Sequence, residues 1–310
     1  MLKKKISAAI VNGFIFLAIL SIISCQSGVP KADAAYVNKI VTWHKKRIAS
    51  LTKPDGWLSL AGLFWLKEGE NTFGSASTND ICFPEGKAPD TIGSFFLENG
   101  KVMVHIKPGV EVLENGSPVK SATLRNDAEG SPAILSWNTL SWFIIKRGDK
   151  YGVRLRDSGN PALKNFRGID LFPIDSLWRI QARLEPYDSA RTIAVPTVLG
   201  TINDEHSPGA LVFTIKGKTY RLDPVVEPGE DQYFIIFADQ TNGAETYGAG
   251  RFLLVNKPDK NGNTIIDFNR AYNPPCAFTP YATCPMPPDQ NRLPVRITAG
   301  EKAYQGAGHE

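Results

Sequence analysis

Two stretches of the chain crowd acids, amides, a phenol and an arginine among glycines and prolines. The first runs from Phe237 to Arg251 and holds Asp239, Thr241, Thr246, Tyr247 and Arg251 around Gly243, Gly248 and Gly250. The second runs from Asp267 to Glu301 and holds Asp267, Asn269, the coil-forming Asn273-Pro274-Pro275, and the cysteines Cys276 and Cys284. A carboxylate can act as a general base, a guanidinium can bind an anionic group or developing negative charge, and a phenol or amide can orient a substrate. On that chemistry Asp239 and Asp267 are the candidate catalytic residues, and Tyr247, Arg251, Asn269 and Asn273 the candidate ligand-binding residues. The competing view gives these groups to the scaffold, with Asp239 capping a turn and the rest satisfying irregular backbone.

Other chemistries lack their signatures. There is no Gly-rich phosphate loop, no Gly-x-Ser-x-Gly elbow and no His-Glu-x-x-His pair. His44, His105, His206 and His309 are never spaced as a metal pair, so neither a metal nor a cofactor is expected. Cys276 has no histidine close in sequence to activate it as a nucleophile. If the chain is an enzyme, hydrolysis of an unknown small molecule is the reaction class to test first, since a nucleotide cofactor signature is missing.

The elements that must hold these groups are mostly strands. Tyr233 to Phe237 is a nearly continuous apolar run, as in a strand covered on both faces. Arg251–Val255 and Thr264–Phe268 flank Asn261-Gly262, a strong turn signal, and read as a hairpin that brings Arg251 within reach of Asp267. Period two puts Asp267 and Asn269 on one face with Ile265, and Ile266 and Phe268 on the other. Leu293 to Ile297 reads as a last strand. Upstream, Trp57–Leu60, Leu63–Leu66, Val102–Ile106, Trp142–Ile145 with Tyr151–Leu155, and Leu211–Ile215 with Thr219–Leu222 read as short strands and hairpins. One helix precedes them, with Tyr36, Val37, Ile40, Val41, His44, Ile48 and Leu51 at helical spacing and Lys45, Lys46 and Arg47 on the outer side. The fold class that follows is mainly β, an antiparallel sandwich or barrel with one N-terminal helix. A chain of 310 residues is long enough to bury its own core.

The first residues read as a processing signal and are excluded from the fold. Lys3, Lys4 and Lys5 precede the apolar Phe14–Ile23, which is too short to span a bilayer, and Ile22-Ile23-Ser24-Cys25 fits a bacterial lipobox. Residues 1–24 are thus expected to be a lipoprotein signal peptide, with Cys25 carrying lipid and 25–35 forming a tether. The protein would sit in the bacterial cell envelope, bound to membrane lipid through Cys25 and facing the periplasm or the exterior. Removing 1–24 takes three lysines and no acid, so 35 basic residues against 31 acidic become 32 against 31. No basic run is left to neutralise a phosphate backbone, which argues against nucleic acid. Three cysteines then remain in an oxidising compartment. Cys276 and Cys284 are the candidate disulfide, worth roughly 2.6 kcal/mol for so short a loop. Cys82, between Ile81 and Phe83, reads as a small buried hydrophobe.

A family resemblance rests on an ordered set of motifs: Gly56-Trp57-Leu58, Phe237-Ala238-Asp239-Gln240-Thr241, Thr246-Tyr247-Gly248-Ala249-Gly250-Arg251, Asp267-Phe268-Asn269-Arg270-Ala271-Tyr272-Asn273-Pro274, Cys276, Cys284-Pro285, Pro287-Pro288, Asn291 and Ala299-Gly300-Glu301. Together they resemble the bacterial family DUF1684, whose function is unassigned. The resemblance implies a recurring polar set drawn from the two stretches. Apart from the tether, no linker, fixed-period repeat or low-complexity tract interrupts the chain, so a single DUF1684-like β domain over 36–304 with a tail at 305–310 is expected. The expectation is that both stretches meet over one end of the sheet and line a polar pocket. The alternative is a non-catalytic binding or assembly lipoprotein whose polar residues fix the C-terminal coil.

Overall fold

The computed structural model describes residues 32–227 and 229–306. The signal segment, Cys25, most of the tether and the last four residues lie outside them. The helix α1 spans Ala34–Leu51 and buries Ile40 and Leu51 fully. The Thr52 amide still bonds back to the Ile48 carbonyl, and the ring of Pro54 then prevents another turn. No helix among the described residues is long and apolar enough to cross a membrane.

Eleven strands follow: β1 (Leu60–Trp65), β2 (Gly69–Gly74), β3 (Ile81–Cys82), β4 (Gly93–Glu98), β5 (Lys101–Ile106), β6 (Val112–Glu114), β7 (Ser117–Val119), β8 (Ser121–Leu124), β9 (Leu135–Trp137), β10 (Leu140–Arg147) and β11 (Lys150–Asp157). They make two sheets, ordered β1-β11-β10-β9-β6-β7 and β3-β2-β4-β5-β8. Alternation explains their packing: Trp142, Ile144, Val153 and Leu155 from one sheet meet Phe73, Phe95, Val102 and Val104 from the other. Trp142 lies edge-on to Phe73 and Phe83, at 5.8 and 5.2 Å between ring centroids. All pairings are antiparallel except the two-residue contact of β2 with β3.

A short helix α2 (Pro161–Asn165), capped by Asn160, leads to the second half. Its strands are β12 (Arg179–Pro196), β13 (Ile202–Ile215), β14 (Lys218–Leu222), β15 (Gln232–Phe237), β16 (Arg251–Asn256) and β17 (Asn263–Asp267). One sheet has the order β14-β13-β12-β17, and β15 pairs with β16 alone. Leu211, Phe213, Ile235, Phe237, Leu253, Ile266 and Phe268 form the core between them, closed by Leu293, Ile297 and Ala299 from the C-terminal coil. The chain is mainly β, with several antiparallel sheets, an N-terminal helix and no closed barrel among the described residues.

Several local expectations differ from the structure for physical reasons. Trp57–Ser59 is a 3₁₀ turn, closed by the Ser59 amide and hydroxyl on the Gly56 carbonyl, and the strand starts only at Leu60. Not all strands are short: β12 has 18 residues and β13 has 14, and their pairing shifts register between Pro186 and Arg191. Cys82 is exposed rather than buried, because period two gives the inward positions to Ile81 and Phe83. Leu293–Ile297 forms no strand; its peptide groups bond instead to the Asp239 carboxylate, the Arg251 guanidinium and single backbone partners. Finally, β16 and β17 do not pair as a hairpin. β16 pairs with β15, and β17 crosses to β12, where Asp267 stands opposite Arg179.

Candidate functional site

Arg251 begins β16 pointing into the second core, and its guanidinium is buried to 0% exposure with the Asp239 carboxylate. Arg251 Nη2 donates to Asp239 Oδ2 at 2.6 Å and to the Ile297 carbonyl at 3.0 Å, while Nη1 donates to the Ala299 carbonyl at 2.5 Å. The expected partner Asp267 is not in reach, because the hairpin that would have supplied it is absent. Asp239 Oδ1 accepts from the Thr241 amide and hydroxyl and from the Ile297 amide. The two polar stretches therefore do meet, as the sequence suggests, but around a sealed knot. Burial holds Arg251 below its usual pKa, and the facing Asp239 carboxylate opposes that shift. Neither residue lines a hollow with Asp267 or Asn269.

A second knot, not foreseen, centres on Glu301, whose side chain is also fully buried. Its Oε1 accepts from Arg47 Nε at 2.7 Å and its Oε2 from the Asn273 amide at 2.8 Å. Arg47 is thus drawn inward from the side of α1 expected to face water; its Nη2 bonds the Asn273 carbonyl and its guanidinium lies 4.3 Å over the Tyr272 ring. His44 Nε2 sits 3.6 Å from the same carboxylate, with its pKa lowered by burial, as a packing residue. Gly300 threads this region at φ +78°, where a Cβ would stand 2.8 Å from the Phe268 carbonyl oxygen. Asn273, a candidate ligand group, is completely buried and spends its amide nitrogens on Glu301 and Lys302. It therefore presents no face to a ligand.

Asp267 and Asn269 behave differently. Asn269 Nδ2 donates to the Asp175 carbonyl and to the Tyr36 hydroxyl, and that hydroxyl donates to Asp267 Oδ1 at 2.8 Å. Asp267 Oδ1 also accepts from the Asn269 amide and Nδ2, whereas Oδ2 takes no hydrogen bond among the described residues. Burial and the Asp267 carboxylate both raise the Tyr36 pKa, so its hydroxyl stays protonated as a donor. Asp267 and Tyr36 line a hollow of about 540 Å³, together with Lys39, Ser176, Arg179 and Arg270. Asn269, at 2% exposure, stands behind them as a positioning residue.

That hollow adjoins a second, of about 410 Å³, through the shared Gln232 and Leu254. The second is walled by Leu51, Trp57, Phe234, Phe252 and Tyr272. Both lie on the outward face of the β15–β16 pair, between that face and α1, forming one groove. Tyr247 lies elsewhere, in a hollow of about 430 Å³ with Cys276, Thr279 and Tyr281, and burial raises its pKa. Cys276 and Cys284 are joined as a disulfide beside it. No three metal-ligating side chains cluster among the described residues.

Sequence reasoning missed Tyr36, Lys39, Arg179, Arg270 and Glu301 as site or anchoring residues. The one signal for them was a phenol and a lysine, Tyr36 and Lys39, three positions apart and so neighbours on one helical face.

No curated protein matches the chain. Among solved structures, the chain is similar to an uncharacterized protein of Haloarcula marismortui determined by NMR, at 24% identity over 46% of this chain and 80% of that one, with a TM-score of 0.39. It is also similar to the FhaA FHA domain complexed with the intracellular domain of Rv3910, at 12% identity over 30% of this chain and 97% of that one, with a TM-score of 0.21. A further FHA domain, from a study of phosphothreonine-dependent interactions, matches at 12% identity over 30% and 92%, with a TM-score of 0.22. Residues 164–302, which hold Asp239, Arg251, Asp267, Asn269 and Glu301 but not the Gly56-Trp57-Leu58 motif, match the family model described as a protein of unknown function (DUF1684), and this match supports assigning the chain to that family.

Proposed function

We propose that this is an envelope lipoprotein, anchored by lipid on Cys25, that binds a small molecule in the hollow beside Asp267. One observation carries the reading: Asp267 Oδ1 is held by three hydrogen bonds on the wall of a 540 Å³ hollow, while Oδ2 has no hydrogen-bond partner among the described residues. A fixed carboxylate with a spare oxygen favours a ligand that offers a hydroxyl or amine there. The same oxygen favours a second reading, in which Asp267 is the general base of a hydrolase. Asp239 and Arg251 are scaffold in both.

Binding is tested with a panel of sugar phosphates, polyols and amino acids followed by calorimetry. Asp267→Asn leaves an acceptor for Tyr36 but turns a donor toward the hollow. It is expected to weaken the best ligand at least tenfold while leaving the Tm within a few degrees. Unchanged affinity in this variant rules out Asp267 as a contact. Turnover of p-nitrophenyl esters or phosphates that falls about 100-fold in Asp267→Asn selects the hydrolase. Anchoring is tested separately by fractionating cells. The full chain is expected in the membrane fraction and Cys25→Ala in the soluble one, and a membrane-bound Cys25→Ala refutes lipid attachment.

A further inference from the structure

The groove on the β15–β16 face differs sharply from one end to the other. At the Asp267 end, Lys39, Arg179 and Arg270 line one hollow, and none of the three makes an ion pair among the described residues. Arg270 Nε is buried without any hydrogen-bond partner. A guanidinium nitrogen taken out of water with no acceptor is a costly arrangement, and an anion bound beside Arg270 offsets the charge of that group.

At the other end the apolar Leu51, Trp57, Phe234, Phe252 and Leu254 stand beside the charged Arg47, Glu227 and Glu230. Trp57 and Leu254 keep 37% and 45% of their surface in water, unusual for large apolar side chains that share adjoining hollows. The cation there, Arg47, is already committed to Glu301 and to the Asn273 carbonyl. Glu227 and Glu230 also line this hollow, and they repel an anionic group from it. Burial and the neighbouring acids Glu230 and Glu205 raise the Glu227 pKa, as expected where no cation balances them.

Building on the binding reading above, we infer that the groove holds a single-chain amphiphile whose head carries an anionic group next to a hydroxyl, as in a lysophospholipid. The anion sits among Lys39, Arg179 and Arg270, and the hydroxyl donates to Asp267 Oδ2. The chain passes over Leu254 into the hollow walled by Trp57, Phe234 and Phe252. Charge sets the direction: the first hollow sets Lys39, Arg179 and Arg270 against Asp33 and Asp267, whereas the second sets Glu227 and Glu230 against an Arg47 already held by Glu301.

The test uses the full chain and the fluorescence of Trp57, with Trp57→Phe as the blank. The probes are 1-lauroyl-lysophosphatidic acid, monolaurin and glycerol 3-phosphate, each kept below any micelle concentration. The lysophosphatidic acid is expected to saturate the signal. Monolaurin, which lacks the anion, binds at least tenfold more weakly, and glycerol 3-phosphate, which lacks the chain, at least 100-fold more weakly. Shortening the acyl chain weakens binding by up to about fourfold per methylene until the hollow is no longer filled. Arg270→Gln and the exposed Lys39→Gln each weaken the acid at least fivefold without changing monolaurin, and Leu254→Asp weakens both. Equal binding of monolaurin and the acid, or of glycerol 3-phosphate and the acid, overturns the inference. So does an acid affinity untouched by both Arg270→Gln and Lys39→Gln. If a sugar phosphate or amino acid binds through Asp267 while no amphiphile does, the inference fails and the binding reading stands. If nothing in either panel binds, both fall.

Discussion

Arg251→Ala is expected to destabilise the protein by about 3–5 kcal/mol, and Asp239→Ala by a similar amount, because breaking a buried ion pair leaves the surviving charge uncompensated. The partners make the loss larger than one pair. Without Arg251, the carbonyls of Ile297 and Ala299 lose their donor. Without Asp239, the amides of Thr241 and Ile297 lose their acceptor. The Tm is expected to fall on the order of 10 °C, and urea unfolding of both singles and the double variant gives the coupling. The double variant is expected to be less destabilised than the sum of the singles, since no lone charge remains. A loss below about 1 kcal/mol in either single variant would return Asp239 and Arg251 to the list of candidate active groups.

Glu301→Ala is the second large effect, about 3 kcal/mol. The substitution strips the carboxylate from Arg47 and the acceptor from the Asn273 amide, in a side chain with no exposure. Glu301→Gln keeps an acceptor but not the charge and is expected to lose about half as much. The local signature is as informative as the global one. Arg47 belongs to α1, so amide exchange along Ala34–Leu51 is expected to accelerate in Glu301→Ala before the sheets open. Unaltered protection of that helix, together with an unaltered urea midpoint, would show that Glu301 does not hold it.

Much of the framework is legible in the sequence because it is written in local alternation. Val102 and Val104 face inward and His105 outward as period two requires, and the hairpins at Arg147-Gly148-Asp149 and Lys216-Gly217-Lys218 pair as read. The same period places Ile266 in the core, whereas the strand stops at Asp267 and the buried Phe268 and Asn269 belong to the 3₁₀ turn that follows. What local pattern cannot give is the choice of distant neighbour. Arg251 and Thr264 flank a strong turn signal, yet their strands pair with β15 and β12, and the ion pair expected with Asp267 forms with Asp239 instead. The proximity of the two polar stretches was foreseeable only through the family resemblance that groups their residues. Their burial was not, because it depends on the coil at Ile297–Glu301 covering them. The groove was hidden for the same reason: Tyr36 meets Asp267 across 231 positions of sequence.

The second core takes Leu293, Ile297 and Ala299 from near the end of the chain, whereas the first is complete by Leu155. A polypeptide delivered N-terminus first, from a ribosome or through a membrane pore, can therefore shut its leading sandwich long before its trailing one. At roughly 5–20 residues per second, translation leaves an interval on the order of ten seconds between the two events. Once position 251 has been made, its guanidinium still waits for carbonyls about fifty residues further on, for several seconds at that rate, so the trailing half is where chaperones and proteases find their opportunity.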